Sequence, residues 1–229
     1  MKRSIFIFSL LSASLCMAFS PARAISQDSI NAIAASVNAD IESGRCLEFL
    51  NDGGPNAGYH KAIRDLYIKD REYTFSYYVT PSLESEYSLG YNSAKGTLEY
   101  NHTSWEDYSN HTGSDRKIET AAVPIPADLA RSLSELVSAA VAPSHLRHFV
   151  RSFSLNDSIG WEFVRVDGVT HEFHDKDGNA AQCMSPNAGN SKELVQIMET
   201  VCQLVEDGKS KEISSLKPDI DRLTKKFGK

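Results

Sequence analysis

The sequence predicts an α+β domain in which an antiparallel sheet of about six to seven strands packs against several helices. Three observations lead to this fold class. Apolar residues recur at helical spacing in some segments and alternate as in strands in others. Strand-like segments follow one another directly over residues 71–124, instead of alternating with helices as in a parallel sheet. Turn residues separate neighbouring strands, and a β-meander is expected in the C-terminal half.

The first 24 residues have the pattern of a cleaved signal peptide. A basic start, Met1-Lys2-Arg3, precedes an apolar run, and Ala22-Arg23-Ala24 supplies the small residues that signal peptidase requires. A span that stays in the membrane needs roughly 20 apolar residues, and a bulky Leu precedes Cys16 where a lipid-modified cysteine needs a small residue. We therefore expect a mature chain that starts at Ile25, without stable membrane insertion, and that is periplasmic or secreted in a bacterium. Residues 25–229 are expected to form a single α+β domain.

The charge of the chain favours some partners and disfavours others. The sequence has 24 basic and 30 acidic residues, and loss of Lys2, Arg3 and Arg23 with the leader leaves 24 − 3 = 21 basic residues and a net charge near −9. Nucleic-acid backbones and anionic lipid surfaces need basic patches. We therefore expect no nucleic-acid partner, whereas an acidic surface suits a basic partner protein.

Helical spacing of apolar residues appears in five segments. The predicted helices cover residues 26–43, about 59–67, the stretch between Pro126 and Pro143, about 191–206, and the stretch from Pro218 to Gly228. Residues 146–153 also keep helical spacing, and for them a helix and a strand both remain open.

Alternating apolar residues predict strands on both sides of the helix that follows Pro126. The first strand runs from Arg71 to Pro81, with Tyr73, Phe75 and Tyr77 expected on one face and Tyr78 on the other. Three further strands are predicted at residues 87–91, 98–102 and 118–122, the first two of them joined as a hairpin through 92–96.

A second hairpin is predicted around Asp167-Gly168, a typical two-residue turn. It pairs residues 161–165 with 170–174, so that His171 lies opposite Val164 and His174 lies opposite Trp161. The turn at 175–179 then leads to another strand that ends near Met184.

Three cysteines, Cys46, Cys183 and Cys202, remain after removal of the leader. In an oxidising compartment one disulfide is expected between two of them, and the sequence does not choose among the three pairings.

No motif predicts a metal, a cofactor or a catalytic centre. His171-Glu172-Phe173-His174 is one residue too short for the H-E-x-x-H zinc motif and lies on a predicted strand. The turn at 175–179 has its glycine at the fourth position, whereas a calcium loop has it at the sixth. We therefore expect no bound cofactor.

Tyrosine is concentrated in one part of the chain, because all nine tyrosines lie between Tyr59 and Tyr108. Aromatic residues stabilise sheets through cross-strand pairs, but they also supply rigid contact area in binding surfaces. If the segment is a binding surface, its candidate residues are Tyr78, Tyr91, Tyr100, Trp105, Glu106 and Asp107.

The leading functional hypothesis is an exported, non-enzymatic domain that binds another protein, as an inhibitor or an immunity-type partner does. One alternative is an envelope hydrolase with dispersed catalytic residues, and another is a domain that binds a small ligand or a glycan. A deep pocket with converging histidines and carboxylates would favour the hydrolase. An exposed aromatic patch rimmed by acidic residues would favour the protein-binding domain.

Overall fold

The computed structural model describes residues 27–50, 57–69, 71–82, 84–110, 115–145 and 168–228. Within these residues the chain forms an open, seven-stranded antiparallel sheet with seven helices, which confirms the predicted α+β class. The predictions for residues 1–24, 146–153 and 161–165 lie outside the described residues.

The sheet is built mainly from consecutive strands, as the sequence predicted. A two-residue strand near the N-terminus is too short to show an alternating pattern and was not predicted. In chain order the strands are β1 (Glu48–Phe49), β2 (Tyr73–Pro81), β3 (Tyr87–Asn92), β4 (Thr97–His102), β5 (Glu119–Pro124), β6 (Val169–His174) and β7 (Ala180–Met184). Their order across the sheet is β1-β7-β6-β2-β3-β4-β5, so β5 lies at one edge.

All five predicted helices are present, although the second helix begins earlier than the predicted start at about residue 59. Two short helices of six residues each were not predicted, because a single turn or two shows no clear periodicity. The helices are α1 (Gln27–Glu42), α2 (Ala57–Ile68), α3 (Trp105–Asn110), α4 (Ala127–Val141), α5 (Gly189–Glu206), α6 (Ser210–Ser215) and α7 (Lys217–Phe227).

The main hydrophobic core lies between one face of the sheet, here called the core face, and helices α4 and α5. Phe75, Tyr77 and Leu89 on the strands and Leu133 and Leu194 on the helices are almost completely buried. Helix α7 packs on the outer side of α4 and extends the core away from the sheet. Burial of these side chains is the main source of stability for such a layered domain.

The opposite face, here called the polar face, is partly covered by α2. Tyr67 and Ile63 of α2 pack against Tyr78 of β2. Around this small apolar cluster lie buried polar side chains, among them Ser88, Asn101 and Glu172. The Tyr67 hydroxyl also shares a hydrogen bond of 2.8 Å with the Thr103 hydroxyl. Helix α2 is therefore fixed to the sheet by polar contacts as well as by apolar ones.

The predicted register of the second hairpin is wrong. Along residues 170–174 strand β6 pairs with β2 on one side and with β7 on the other. His171 lies between Val79 and Cys183, and His174 lies between Ser76 and Ala180. No edge of β6 is left for Val164 or Trp161, so the turn signal at Asp167-Gly168 was outweighed by long-range pairing with β2.

The expected orientation of Tyr73 is also wrong. The β2–β3 register shifts between Tyr73 and Ser76, and this irregularity reverses the alternation of side chains. Tyr73 consequently lies on the polar face, where its hydroxyl donates to Glu99 at 3.0 Å. Its ring covers Gly90 so closely that a methyl group there would overlap it. Phe75 and Tyr77 point into the core as predicted.

In the part of the chain that the structure describes, no helix has both the length and the apolar character needed to cross a bilayer.

Candidate functional site

Tyr78, the first residue of the predicted binding surface, is buried. Only 2% of its surface is exposed, and its ring lies 5.6 Å from that of Tyr67 on α2. The expectation that Tyr78 is exposed is therefore wrong, because helix α2 covers this side of β2. Its position indicates a role in attaching α2 to the sheet.

Three of the predicted residues lie together on the short helix α3. Glu106 is exposed, and the Asp107 carboxylate accepts a hydrogen bond of 2.6 Å from the backbone N–H of Lys117. The Ser104 hydroxyl accepts one of 3.2 Å from the backbone N–H of Asp107. Asp107 therefore joins α3 to the segment before β5, and the side chain of Trp105 lies outside the described residues.

Tyr91 and Tyr100 lie on the core face and are half-buried. Tyr91 of β3 is paired with Leu98, whereas Tyr100 of β4 is paired with Leu89. Both rings pack against the main core. Of the two, Tyr100 has aromatic neighbours, and these define a surface that the sequence did not single out.

Tyr87, Tyr100 and His102 form a partly buried cluster on the core face, here called the aromatic patch. The ring of Tyr100 lies 5.3 Å from that of His102 in a stacked arrangement and 5.8 Å from that of Tyr87 in a tilted one. Tyr87 and His102 are direct cross-strand partners. Such aromatic pairs are preferred geometries and hold the rings in place. The patch is thus a fixed surface at the ends of β3 and β4.

Four glutamates are linked to the aromatic patch by strand pairing or by their effect on the pKa values of its tyrosines, and are here called the acidic rim: Glu84, Glu119, Glu199 and Glu206. Glu119 of β5 is the cross-strand partner of His102. The pKa values of Tyr87 and Tyr100 are raised, chiefly by burial, next by the Cys202 thiol beneath them, and further by these acids. Glu199 and Glu84 act on Tyr87, and Glu206 acts on Tyr100. Burial also raises the pKa of the Glu199 carboxyl.

Within the described part of the chain, the carboxylates of the acidic rim have no salt-bridge partner, in contrast to some other acidic groups of the protein. Elsewhere Asp65, Glu193 and Asp221, for example, each lie within 3 Å of a lysine or arginine nitrogen. Among the described residues, none forms a salt bridge with any of the four rim carboxylates. The rim therefore gives the patch a negative potential that is not locally neutralised.

An aromatic surface with uncompensated carboxylates is suited to bind a cation. The face of a tyrosine ring attracts an arginine or lysine group within about 6 Å, and a carboxylate beside the ring adds a charge-assisted hydrogen bond. The chain itself contains such a contact, with the Arg116 guanidinium 4.4 Å from the ring centre of Tyr108. The patch and its rim can therefore hold basic side chains of another molecule.

Part of this site could be predicted from the sequence. The predicted hairpin through residues 92–96 already places Tyr87 beside His102, because its strands are antiparallel. The contribution of α5 could not be predicted from the sequence, since Glu199 and Glu206 are about a hundred residues away from Tyr100 along the chain. Helical spacing marks them as outward-facing but does not indicate what they face.

A second cluster of reactive side chains lies inside the core. The Tyr77 hydroxyl and His171 Nδ1 share a hydrogen bond of 2.7 Å, and Cys183 is the cross-strand neighbour of His171. A catalytic cysteine needs a thiolate beside a basic imidazole. Burial instead lowers the pKa of His171 to about 4 and raises the pKa of Cys183 to about 12. Both groups are neutral at pH 7, so the cluster is part of the packed core.

We predict that His171 makes the protein less stable in acid. Its pKa of about 4 in the folded state lies below the ordinary value of 6.5, so between these values the unfolded chain binds more protons. As pH falls from 6.5 to 4, the free energy of unfolding should decrease by up to about 3 kcal/mol on this account. Urea titrations across this range should show a shallower decrease for His171→Gln. Identical pH profiles for the two proteins would contradict the prediction.

Cys46, Cys183 and Cys202 are free thiols, and among the described residues the expected disulfide is not formed. Cys202 lies on α5 under the aromatic patch, and burial raises its pKa strongly. Cys183 lies on β7 beside His171. Burial likewise raises the pKa of Cys46, which follows α1. All three thiols are therefore protonated and act as small apolar side chains.

Buried carboxylates on the polar face are held by cations. The pairs are Arg64–Glu172 at 2.9 Å, Arg116–Glu86 at 2.5 Å and Lys95–Glu99 at 2.9 Å. A general acid in a hydrolase needs a carboxyl with a raised pKa. Burial alone would raise the pKa of Glu99. Hydrogen bonds from Lys95 and Tyr73 outweigh this effect, so the pKa of Glu99 is lowered. These groups stabilise the sheet and give no support to the hydrolase hypothesis.

A shallow groove of about 230 Å³ lies between α5 and α7. Arg222 in this groove bonds to Glu193 at 2.9 Å and to Asp219 at 3.2 Å, so its charges are already paired. None of the residues that line it is aromatic, which gives no support to a glycan site built on aromatic rings. Within the described residues, no three histidine, cysteine or acidic side chains are placed to hold a metal ion.

Comparison of the chain with protein-family models, with curated proteins and with solved structures finds no match.

Proposed function

We propose that this chain is an exported, non-enzymatic domain that binds a basic partner protein, as inhibitors and immunity proteins do. The proposal is carried by the aromatic patch and its acidic rim. The leader pattern of residues 1–24 supports export, and the acidic mature chain supports a basic partner.

The binding role rests on the chemistry of the site. Tyrosines at the centre of an interface supply rigid apolar area, and surrounding charged groups set specificity and the rate of association. Tyr100 is held by Tyr87 and His102, so little conformational entropy is lost when a partner binds. Among the described residues, no cation is paired with the carboxylates of the rim, so none of these has to be displaced. A lysine or arginine of the partner therefore meets a preformed site.

We predict that Tyr100→Ala weakens partner binding by about 2 kcal/mol or more, because it removes the central ring of the patch. The partner is first isolated on immobilised mature protein from envelope extract and identified by mass spectrometry, and its affinity is then measured by calorimetry. Tyr91→Ala is the matched control, since Tyr91 is also a half-buried tyrosine of the core face. Similar losses of stability but a loss of affinity for Tyr100→Ala alone would support the patch. Equal affinities of the two variants would contradict it.

The acidic rim allows an independent test by charge. Glu119→Gln removes one exposed rim charge, so it should lower affinity and weaken the dependence of affinity on salt. Glu135→Gln changes the net charge equally at an exposed position of α4, away from the patch. Equal effects of the two substitutions would show that net charge, and not this site, attracts the partner.

Export has its own test, which does not involve the patch. The mass of the intact protein purified from the bacterial envelope should correspond to a chain that starts at Ile25. A product that retains Met1 to Ala24, or that carries a lipid on Cys16, would contradict this part of the proposal.

A further inference from the structure

Strand β5 is an edge strand that pairs only with β4 among the described residues. At the other end of the sheet, β1 forms a bridge with His145, so its outer side is partly covered. An edge strand presents backbone N–H and C=O groups that can pair with another chain. The edge formed by β5 adjoins the aromatic patch, because Ala121 is paired with Tyr100 and Glu119 with His102.

The register shows which backbone groups of β5 point outward. The Ile125 N–H donates to the Gly96 carbonyl at 3.3 Å, one position beyond the Thr97–Pro124 pair. Because bonding positions alternate along an antiparallel ladder, Val123, Ala121 and Glu119 also bond toward β4. The backbone groups of Thr120, Ala122 and Pro124 therefore point outward.

The outward backbone groups are available at two of these three positions. Proline has no N–H, and the Pro124 carbonyl accepts a hydrogen bond of 2.6 Å from the Ser210 hydroxyl. In the described part of the chain, no backbone group outside β4 is hydrogen-bonded to the backbone of Thr120 or Ala122. Their two N–H and two C=O groups can bond to one added strand.

We propose that the basic partner binds as an extended segment that adds to the β5 edge and places an arginine or lysine on the aromatic patch. This inference rests on the proposed function and specifies how the patch is used. It follows from three features: outward backbone groups at Thr120 and Ala122, a small side chain at Ala121, and uncompensated carboxylates at Glu119 and Glu206.

Strand spacing makes this arrangement feasible. An added strand lies about 4.8 Å from β5 and roughly 10 Å from β4. Ala121, the cross-strand partner of Tyr100, is the residue of β5 that a long basic side chain on the core face of the added strand has to pass to reach the patch. Its cation can then approach the ring of Tyr100 and the exposed carboxylate of Glu119, the cross-strand partner of His102. A residue larger than alanine at 121 would block this path.

A second copy of this chain is a poorer occupant of the edge. Its own β5, Glu-Thr-Ala-Ala-Val-Pro, carries an acid and no cation, so it would bring further negative charge to the rim. The observations therefore favour a basic segment of another protein.

The test uses the mature protein and a synthetic probe peptide, acetyl-Thr-Val-Arg-Val-Arg-Val-Thr-amide. In the free protein the amide protons of Thr120 and Ala122 should exchange with solvent quickly, while those of Ala121 and Val123 are protected by β4. With saturating peptide, NMR should show exchange at least tenfold slower at Thr120 and Ala122 and little change at Ala121 and Val123. A peptide with citrulline in place of arginine should bind at least fivefold more weakly.

Two N-methylated forms of the probe serve as matched controls. They carry methyl groups on alternate amides, in one form at odd and in the other at even positions. An added strand directs only one of these sets toward β5, so one form should lose at least tenfold in affinity relative to the other. Ala122→Pro should also weaken binding, and its melting temperature checks that it folds.

The outcomes separate this inference from the proposed function. If Tyr100→Ala and Glu119→Gln weaken peptide binding while exchange at Thr120 and Ala122 is unchanged and both methylated forms bind equally, strand addition is wrong and the patch remains the binding site. If the peptide does not bind, or binds without dependence on Tyr100 and Glu119, the proposed function fails as well. Protection of Thr120 and Ala122 in the free protein, with a dimer in sedimentation experiments, would show that a second copy occupies the edge and would overturn the inference.

Discussion

Replacement of Arg64 by Met is expected to lower the free energy of unfolding by about 3–5 kcal/mol, because it leaves the Glu172 carboxylate buried without its cation. Arg64 of α2 and Glu172 of β6 are joined by a contact of 2.9 Å, and less than a tenth of either side chain is exposed. His174 Nε2 also lies 3.4 Å from the same carboxylate, a longer contact than that of Arg64. Urea titration monitored by circular dichroism measures the change.

The same helix offers a matched control. Lys61 and Asp65 form an ion pair of 2.8 Å, but more than half of the Lys61 side chain is exposed. Lys61→Met should therefore change stability by less than about 1 kcal/mol. The double replacement Arg64→Met with Glu172→Leu should recover much of the loss, since no charge then remains buried. Equal effects of Arg64→Met and Lys61→Met would show that the buried pair does not hold α2 to the sheet.

This ion pair also marks a limit of prediction from the sequence. The apolar spacing of Ile63 and Tyr67 predicts a helix at α2, and the structure confirms it. The partner of Arg64 lies 108 residues further along the chain, and no local pattern connects the two. The burial of Tyr78 could not be predicted for the same reason. Its alternation with Tyr77 was correct, but the sequence does not show that α2 covers that face.

Local sequence signals predicted strand pairing well for strands that follow one another in the chain and poorly for strands that are far apart in it. The turn at 92–96 fixes the pairing of β3 with β4, and the turn at 175–179 fixes that of β6 with β7. In the latter turn Gly178 has a φ of +83°, and the Asp175 carboxylate accepts the N–H groups of Asp177 and Asn179. By contrast, no local turn predicts the pairing of β2 with β6, because the two strands are far apart in the sequence. Burial of Tyr77 and Phe173 against each other stabilises this pairing.

The candidate site combines both situations. Its tyrosines follow from the hairpin of β3 and β4, and Glu84 lies just before β3, whereas its other carboxylates come from β5 and α5, which only the fold brings to it. The sequence thus indicated that the aromatic residues of this segment either stabilise the sheet or form a binding surface. It could not separate the aromatic residues that are fully buried from those that stay partly exposed, because that distinction depends on what covers each face.

That distinction gives the last prediction, which concerns Phe75. Phe75→Ala should lower the free energy of unfolding by about 3–5 kcal/mol, through lost apolar burial and the cavity that remains. The ring lies in the main core with only 1% of the residue exposed. Phe49→Ala is the matched control, because 49% of Phe49 is exposed on β1, and its loss should stay below about 1 kcal/mol.

Binding separates Phe75 from Tyr100 in the same experiment. At a temperature where Phe75→Ala remains folded, its affinity for the basic partner should equal that of the wild type, since the ring is not part of the aromatic patch. Tyr100→Ala should show the reverse pattern, with a large loss of affinity and a smaller loss of stability, because its ring is only partly buried. Urea titration and calorimetry on both variants measure the two quantities. If both substitutions lower stability alone, the tyrosine-rich segment serves only to pack the sheet, and the binding site must be sought elsewhere on the molecule.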